Sequence, residues 1–282
     1  MSEISKPDQK AGFRNELQIF FTAVMFLTRI PVPKNVDHSP EYLEKSPKYF
    51  PLVGWIVAGL SVLAFLIFVR YTSSDIAIIA SMIAGLLTTG AFHEDGFADV
   101  CDAFGGGWTK EKILQIMKDS RIGAYGAMGI WVVLTAKFFL LKELPQYTPD
   151  LAHPTTNIFY NYRFFIAVIF AAHSLSRLMP VWVIQFSTYV TNPDVGKSKA
   201  LTTKKLSLTS FMLANIFGLF PFIWLSWEFL FALIPVGYIT YELTRYFQKW
   251  IGGYTGDCLG AIQQVSELIF YLSVLIIWRF AA

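Results

Sequence analysis

An all-α, polytopic helical bundle that spans a membrane is the fold class this sequence predicts, and three observations predict it. Hydrophobic residues make up 54% of the 282-residue chain and charged residues only 15%, where soluble domains carry about 25% charged residues. Uncharged stretches approaching or reaching the roughly 20 residues of one bilayer crossing recur along the chain. The basic residues collect in alternate connecting segments, as expected of a chain that weaves through a bilayer.

The elements follow in order. The first apolar stretch, "LQIFFTAVMFL", has 11 residues and runs into "TRIPVP", where Pro31 and Pro33 stop a helix. It has the length of a signal-peptide core but no small-x-small cleavage site behind it, so an interfacial or re-entrant helix is expected. "FPLVGWIVAGLSVLAFLIFV" (50–69) and "LSLTSFMLANIFGLFPFIWLSW" (206–227) are long enough to cross alone, and 76–92 is slightly short. Residues 122–141 carry only Lys137, near the end, where a long stem snorkels to the interface. Residues 164–184 hold His173 and Arg177 inside a span. Segments 229–241 and 268–278 cross if each helix extends into its polar flank. About seven transmembrane helices result, in addition to the N-terminal one. With no low-complexity tail, convincing repeat or long linker, residues 1–282 read as a single integral-membrane catalytic domain.

With a cytoplasmic amino terminus and seven crossings, residues 1–49, 93–121, 185–205 and 242–263 lie inside and hold 17 of the 23 Lys and Arg residues. This predicts a multi-pass protein of the cell (inner) membrane. The net charge of +3 is spread over loops without interleaved base-stacking aromatics, so no nucleic-acid partner is expected, and membrane lipid is the plain one. Cys101 and Cys258 lack metal-site spacing and read as reduced thiols.

Three polar segments carry the chemistry. "GAFHEDGFADVCDAFGGG" (90–107) follows the uncharged run "IAIIASMIAGLLTT". A carboxylate near hydrocarbon is costly, so this cluster calls for a partner, and a cation is the obvious one. Asp95, Asp99 and Asp102 are spaced i, i+4, i+7, within about 60° of one another on a helix. Like charges on one face repel unless a cation intervenes, and all-oxygen ligation favours a hard ion such as Mg²⁺. Glu94 falls about 100° away, on the fringe of the metal set or toward substrate. His93 reads as ligand, proton acceptor or interfacial histidine, and the bland reading of the whole cluster is a solvated acidic helix end. In "ILQIMKDSRIGAYGAMG", Lys118 and Arg121 offer cations for phosphate and Asp119 a further carboxylate, although juxtamembrane charge often only sets topology. In "IGGYTGDCLGAIQQVSE", Gly252, Gly253, Gly256 and Gly260 surround Thr255 and Asp257. Such a loop brings backbone N–H groups close to phosphate, while the bland reading makes Asp257 a helix cap. All three segments fall on the same predicted side. Arg177, within a span, is expected to face the bundle interior and meet a phosphate or one of the Asp residues, the bland reading being an arginine that snorkels to the interface from a helix end.

In order, "FLTRIPVP", "YFPLVG", "GAFHEDGFADVCDAF", "IMKDSRIGAYGA" and "GGYTGDCLGA" resemble the signature blocks of the cobalamin synthase family, the adenosylcobinamide-GDP ribazoletransferases, from about residue 20 to 270. The family pattern H-x-D-G-x-A-D-x-x-D-G is kept at His93, Asp95, Gly96, Ala98, Asp99 and Asp102, with "AF" before the glycine run. The resemblance implies an integral-membrane enzyme of nucleotide-loop assembly in cobalamin biosynthesis, and the Lys and Arg distribution predicts an active site facing the cytoplasm. A hydroxyl of α-ribazole, or of its 5′-phosphate, attacks the cobinamide-linked phosphorus of adenosylcobinamide-GDP, and GMP leaves. Mg²⁺ on Glu94, Asp95, Asp99 and Asp102 suits that reaction. Catalytic roles are then expected at His93, Asp119 and Asp257, and substrate contacts at Lys118, Arg121, Arg177, Gly253, Thr255 and Gly256. A homo-oligomer is compatible with this reading.

Two other classes are weighed. A CDP-alcohol phosphotransferase shares the loose D-G-x-A-D-x-x-D pattern but carries an arginine after the alanine, where this chain has Asp99. An ion-coupled transporter also buries charge, yet would place it at the midplane instead of one membrane face.

Overall fold

The structure, a computed structural model, describes residues 9–36, 39–144, 157–190 and 204–281. Much of the predicted inside segment 185–205 therefore lies outside the described residues. Twelve α-helices follow one another among the described residues: α1 (Gln9–Leu27), α2 (Pro40–Lys45), α3 (Phe50–Val69), α4 (Ser74–Thr89), α5 (Phe92–Gly106), α6 (Lys110–Ile116), α7 (Ala124–Glu143), α8 (Ile158–Asn161), α9 (Arg163–Phe186), α10 (Leu208–Leu219), α11 (Leu233–Ile251) and α12 (Gly256–Ala281). Among the described residues there is no strand, only an isolated parallel bridge between Tyr189 and Tyr254. The all-α expectation holds.

Local chemistry explains several boundaries. Ser73 caps α4 through its hydroxyl, which accepts the Ile76 N–H, and Ser207 does the same for α10 at Ser210. Pro51 sits in the first turn of α3, where its missing N–H has no helical partner to lose. After α10 the chain tightens into 3₁₀ turns at Phe220–Trp224 and Trp227–Ala232, with Pro221 at the junction.

Among the described residues, four helical stretches are long and apolar enough to cross a membrane: Pro40–Val69, Ala124–Glu143, Arg163–Phe186 and Gly256–Phe280. The pair α4 and α5 passes only jointly, across an 87° bend, giving up to 5. This is fewer than the seven expected, because Leu208–Trp224 is a shorter apolar stretch and α11 carries Glu242, Arg245 and Lys249. Large apolar side chains such as Leu87, Trp131, Ile234 and Ile67 stand exposed around the bundle, a surface that in water would be a liability.

Contacts sort the helix ends into two sets. At one end the turn before α7 meets α5 through Asp102, the end of α9 meets the start of α12 through Tyr254 and Thr188, and the start of α10 meets α9 through Gln185. At the other, Lys142 pairs with Asp75 and Arg279 with Glu143. In the middle the helices approach by way of small residues. A side chain on Gly54 of α3 would collide with the His173 carbonyl of α9, and one on Gly218 would come within 2.6 Å of Leu178.

Candidate active site

α5 is turned away from α4 by two consecutive residues in the left-handed region, Gly90 (φ 66°) and Ala91 (φ 57°). Glycine is required at position 90 twice over, because the Arg29 side chain occupies the place of a Cβ. The bend leaves α5 at one end of the bundle, and the predicted carboxylate face is real: Asp95 is exposed, Asp99 and Asp102 half-buried.

These three are not equivalent. Asp102 accepts the Gly123 N–H at 2.7 Å and the Gly126 N–H at 2.8 Å, so it satisfies the otherwise orphaned donors at the start of α7. Asp95 and Asp99 have no ion-pair partner among the described residues. Asp99 instead lies within electrostatic reach of Asp257, Asp95 and Asp102.

Asp257 arrives from α12. The polar loop is shorter than the glycines suggest, because α12 already begins at Gly256, so Gly256 and Gly260 are helical. The backbones of α5 and α12 touch at two of these glycines. A Cβ on Gly96 would lie 3.0 Å from the Asp257 Cα, and one on Gly260 3.0 Å from the His93 carbonyl oxygen. Asp257 is thereby held against the helix that carries Asp95 and Asp99. Its cap role is taken: the Thr255 hydroxyl accepts the Cys258 N–H at 3.3 Å. Thr255 and Gly253 thus have structural duties, since the space of a Gly253 Cβ is filled by the Thr188 carbonyl. Around Gly256 the space is open.

Among the described residues, no three His, Cys, Asp or Glu side chains are gathered as one coordination shell. The donor types do fit a hard cation: Asp95, Asp99 and Asp257 offer only carboxylate oxygens, and their like charges converge without a protein cation between them. Asp102 fits less well, with both oxygens engaged by backbone.

The second polar segment hangs beside this face. Gly123, bonded to Asp102, follows an exposed turn in which Asp119 pairs with Arg121 at 2.6 Å. The Arg121 guanidinium and backbone N–H together hold the Asp119 carboxyl down to about 2. Lys118 is exposed on the same turn. Cys101 and Cys258 are both free thiols.

Glu94 and His93 point the other way. Both are buried, and Glu94 accepts a hydrogen bond from Gln264 Nε2 at 2.9 Å in the bundle interior. The structure does not bring Glu94 together with Asp95, because neighbours in a helix face apart. Arg177 faces the interior as expected, and its Nη1 contacts the His173 carbonyl oxygen and Nδ1 at 3.0 and 3.1 Å. It meets neither the acidic face nor an Asp. Lys137 departs from the snorkelling expectation: it is buried and pairs with Glu267 at 3.2 Å. Gln263, Gln264 and Glu267 belong to this interior cluster, which the sequence marked only by polar residues inside apolar segments.

Fold and site define a polytopic helical protein whose one end gathers carboxylates from two sequence-distant helices beside a basic turn. The chain belongs to the cobalamin-5-phosphate synthase family, whose model matches residues 19–275. It is 39% identical over 273 residues to an adenosylcobinamide-GDP ribazoletransferase of Leptospira interrogans, covering 94% of this chain and 98% of the relative. Enzymes of the same description from Shewanella frigidimarina and Vibrio cholerae are 41% and 37% identical, over 92% and 94% of this chain and 95% and 96% of theirs. No solved structure matches the chain.

Proposed function

We propose that this chain is a membrane-embedded adenosylcobinamide-GDP ribazoletransferase of cobalamin nucleotide-loop assembly, set in the cell inner membrane with its carboxylate end in the cytoplasm. It joins adenosylcobinamide-GDP to α-ribazole, or α-ribazole 5′-phosphate, and releases GMP. The observation that carries the reading is the convergence of Asp257 on Asp95 and Asp99 at the end of the bundle where the exposed Lys118 and Arg121 also lie.

Asp95, Asp99 and Asp257 would hold Mg²⁺, which when bound neutralises charge on the phosphate oxygens. Lys118 and Arg121 draw the diphosphate toward this face, and Arg121 can exchange its exposed Asp119 partner for a phosphate. Open space at Gly256 admits the phosphate to the N-terminus of α12, where N–H groups point outward. In this reading the Asp257 carboxylate also takes the proton of the attacking ribose hydroxyl. The bond from that oxygen to the cobinamide-linked phosphorus forms as the bond to the GMP oxygen breaks. This reading assigns no step to Glu94, buried on α5, while His93 lines a small pocket together with Gly256 and Gly260.

The test is GMP release by the purified chain in lipid nanodiscs given adenosylcobinamide-GDP and α-ribazole. Release should require Mg²⁺, stop with EDTA, and be absent in Asp95→Asn and Asp99→Asn at equal protein level. Consumption of a CDP-lipid in place of adenosylcobinamide-GDP would overturn the reading.

A further inference from the structure

A cavity of about 30 Å³ lies in the middle of the bundle, bounded by α3, α4, α5, α7, α9 and α12. Three polar atoms in the described residues are buried without a partner, namely Ser61 Oγ, Glu94 Oε2 and Arg177 Nε. All three residues line this one cavity. They come from three different helices and are 2%, 8% and 3% exposed. An orphaned buried polar group costs about 1–3 kcal/mol, more when charged, so three around one cavity are evidence of an occupant.

We propose that the cavity is a binding site for an ordered water, and that through it Glu94 acts as a positioning residue for the acidic face of α5. A buried water needs roughly 10–15 Å³ and two to four polar partners. Here it accepts from Arg177 Nε–H, donates to Glu94 Oε2 and shares its second hydrogen with Ser61 Oγ, which matches its donors and acceptors to the three orphans. The rest of the network is already complete. Lys137 pairs with Glu267, Gln263 Nε2 donates to Glu267 and to Ser176, Tyr271 donates to Glu267, and Gln264 Nε2 joins Glu94 to Gln263. Two carboxylates, Glu94 and Glu267, balance two cations, Lys137 and Arg177. The water supplies the missing link between Glu94 and Arg177, and so ties α5 to α9. Because Glu94 adjoins Asp95 in the helix, fixing its carboxylate fixes the rotation that turns Asp95 and Asp99 outward.

The role of Glu94 in turnover rests on the proposed transferase reading; the water itself does not. A high-resolution map of the full chain should show density within hydrogen-bond distance of Ser61 Oγ, Glu94 Oε2 and Arg177 Nε, and a dry cavity overturns the proposal. Glu94→Gln turns an acceptor into a donor facing Arg177. It should lower the melting temperature in nanodiscs and cut kcat tenfold or more, with both KM values and the half-saturating Mg²⁺ concentration within twofold of the wild type. A raised Mg²⁺ requirement would instead make Glu94 a metal ligand, and an unchanged kcat would end its positioning role. If the wild type itself releases no GMP, the transferase reading fails while the map and the melting temperature still decide the water site.

Discussion

At the scale of single residues, carboxylates that look alike in sequence have separate tasks. The i, i+4, i+7 spacing of Asp95, Asp99 and Asp102 was legible because helical periodicity is a local property, and so was the offset of Glu94. Their partners were not: the Gln264 amide that holds Glu94 lies 170 residues away. Lys137 was misread for the same reason, since snorkelling is a local rule and Glu267 is brought to it by packing. The division of labour has measurable consequences. Asp102→Asn retains one acceptor oxygen for the α7 N-terminus, so it should cost about 1 kcal/mol of stability, as a weakened cap does, and leave turnover within tenfold. Asp257→Ser should instead lose turnover by orders of magnitude with unchanged melting, because Thr255 already caps α12. GMP release and thermal unfolding of both variants check this. Near-normal turnover in Asp257→Ser would remove it from the site.

At the scale of elements, glycine sets how closely the helices approach, and this decides where the carboxylates sit. The sequence placed four glycines in one loop, but two of them lie within α12, where Gly260 lets its backbone meet α5. Loop composition and a helix packed through glycine look identical until the neighbouring helix is known. The 87° break between α4 and α5 was equally hidden, since Gly90 marks a turn but Ala91 in the left-handed region carries no sequence signal. Gly54 tests the packing away from the site. Its Cβ would lie 2.9 Å from the His173 carbonyl carbon and meet that carbonyl oxygen more closely still, and backbone cannot rotate aside as a side chain can. Gly54→Ala should therefore destabilise the bundle by about 1–3 kcal/mol, in the range of core overpacking. The measurement is the melting temperature in nanodiscs, and a temperature equal to wild type would show that α3 and α9 do not meet as described.

At the scale of the whole molecule, the basic residues of the sequence predict a crossing pattern with more crossings than the helices' length and hydropathy supply. Among the described residues, four helical stretches meet the length and composition of a span by themselves, and the helix ends form two sets. The turn before α7 and the start of α12 gather with the carboxylates, while Lys142, Asp75, Arg279 and Glu143 close the opposite end. The proposed site needs this arrangement, because an odd number of crossings between the Asp119 turn and the end of α11 would put the basic turn and Asp257 on opposite faces. Exposed positions allow a direct test in a Cys101→Ser, Cys258→Ala background. Ser120→Cys and Lys249→Cys should react with a membrane-impermeant maleimide only when the cytoplasmic face is accessible, as in inverted vesicles. Thr72→Cys, exposed at the far end of α3, should react only in right-side-out spheroplasts. Labelling of Ser120→Cys and Lys249→Cys from opposite sides would separate the basic turn from Asp257 and dismantle the site.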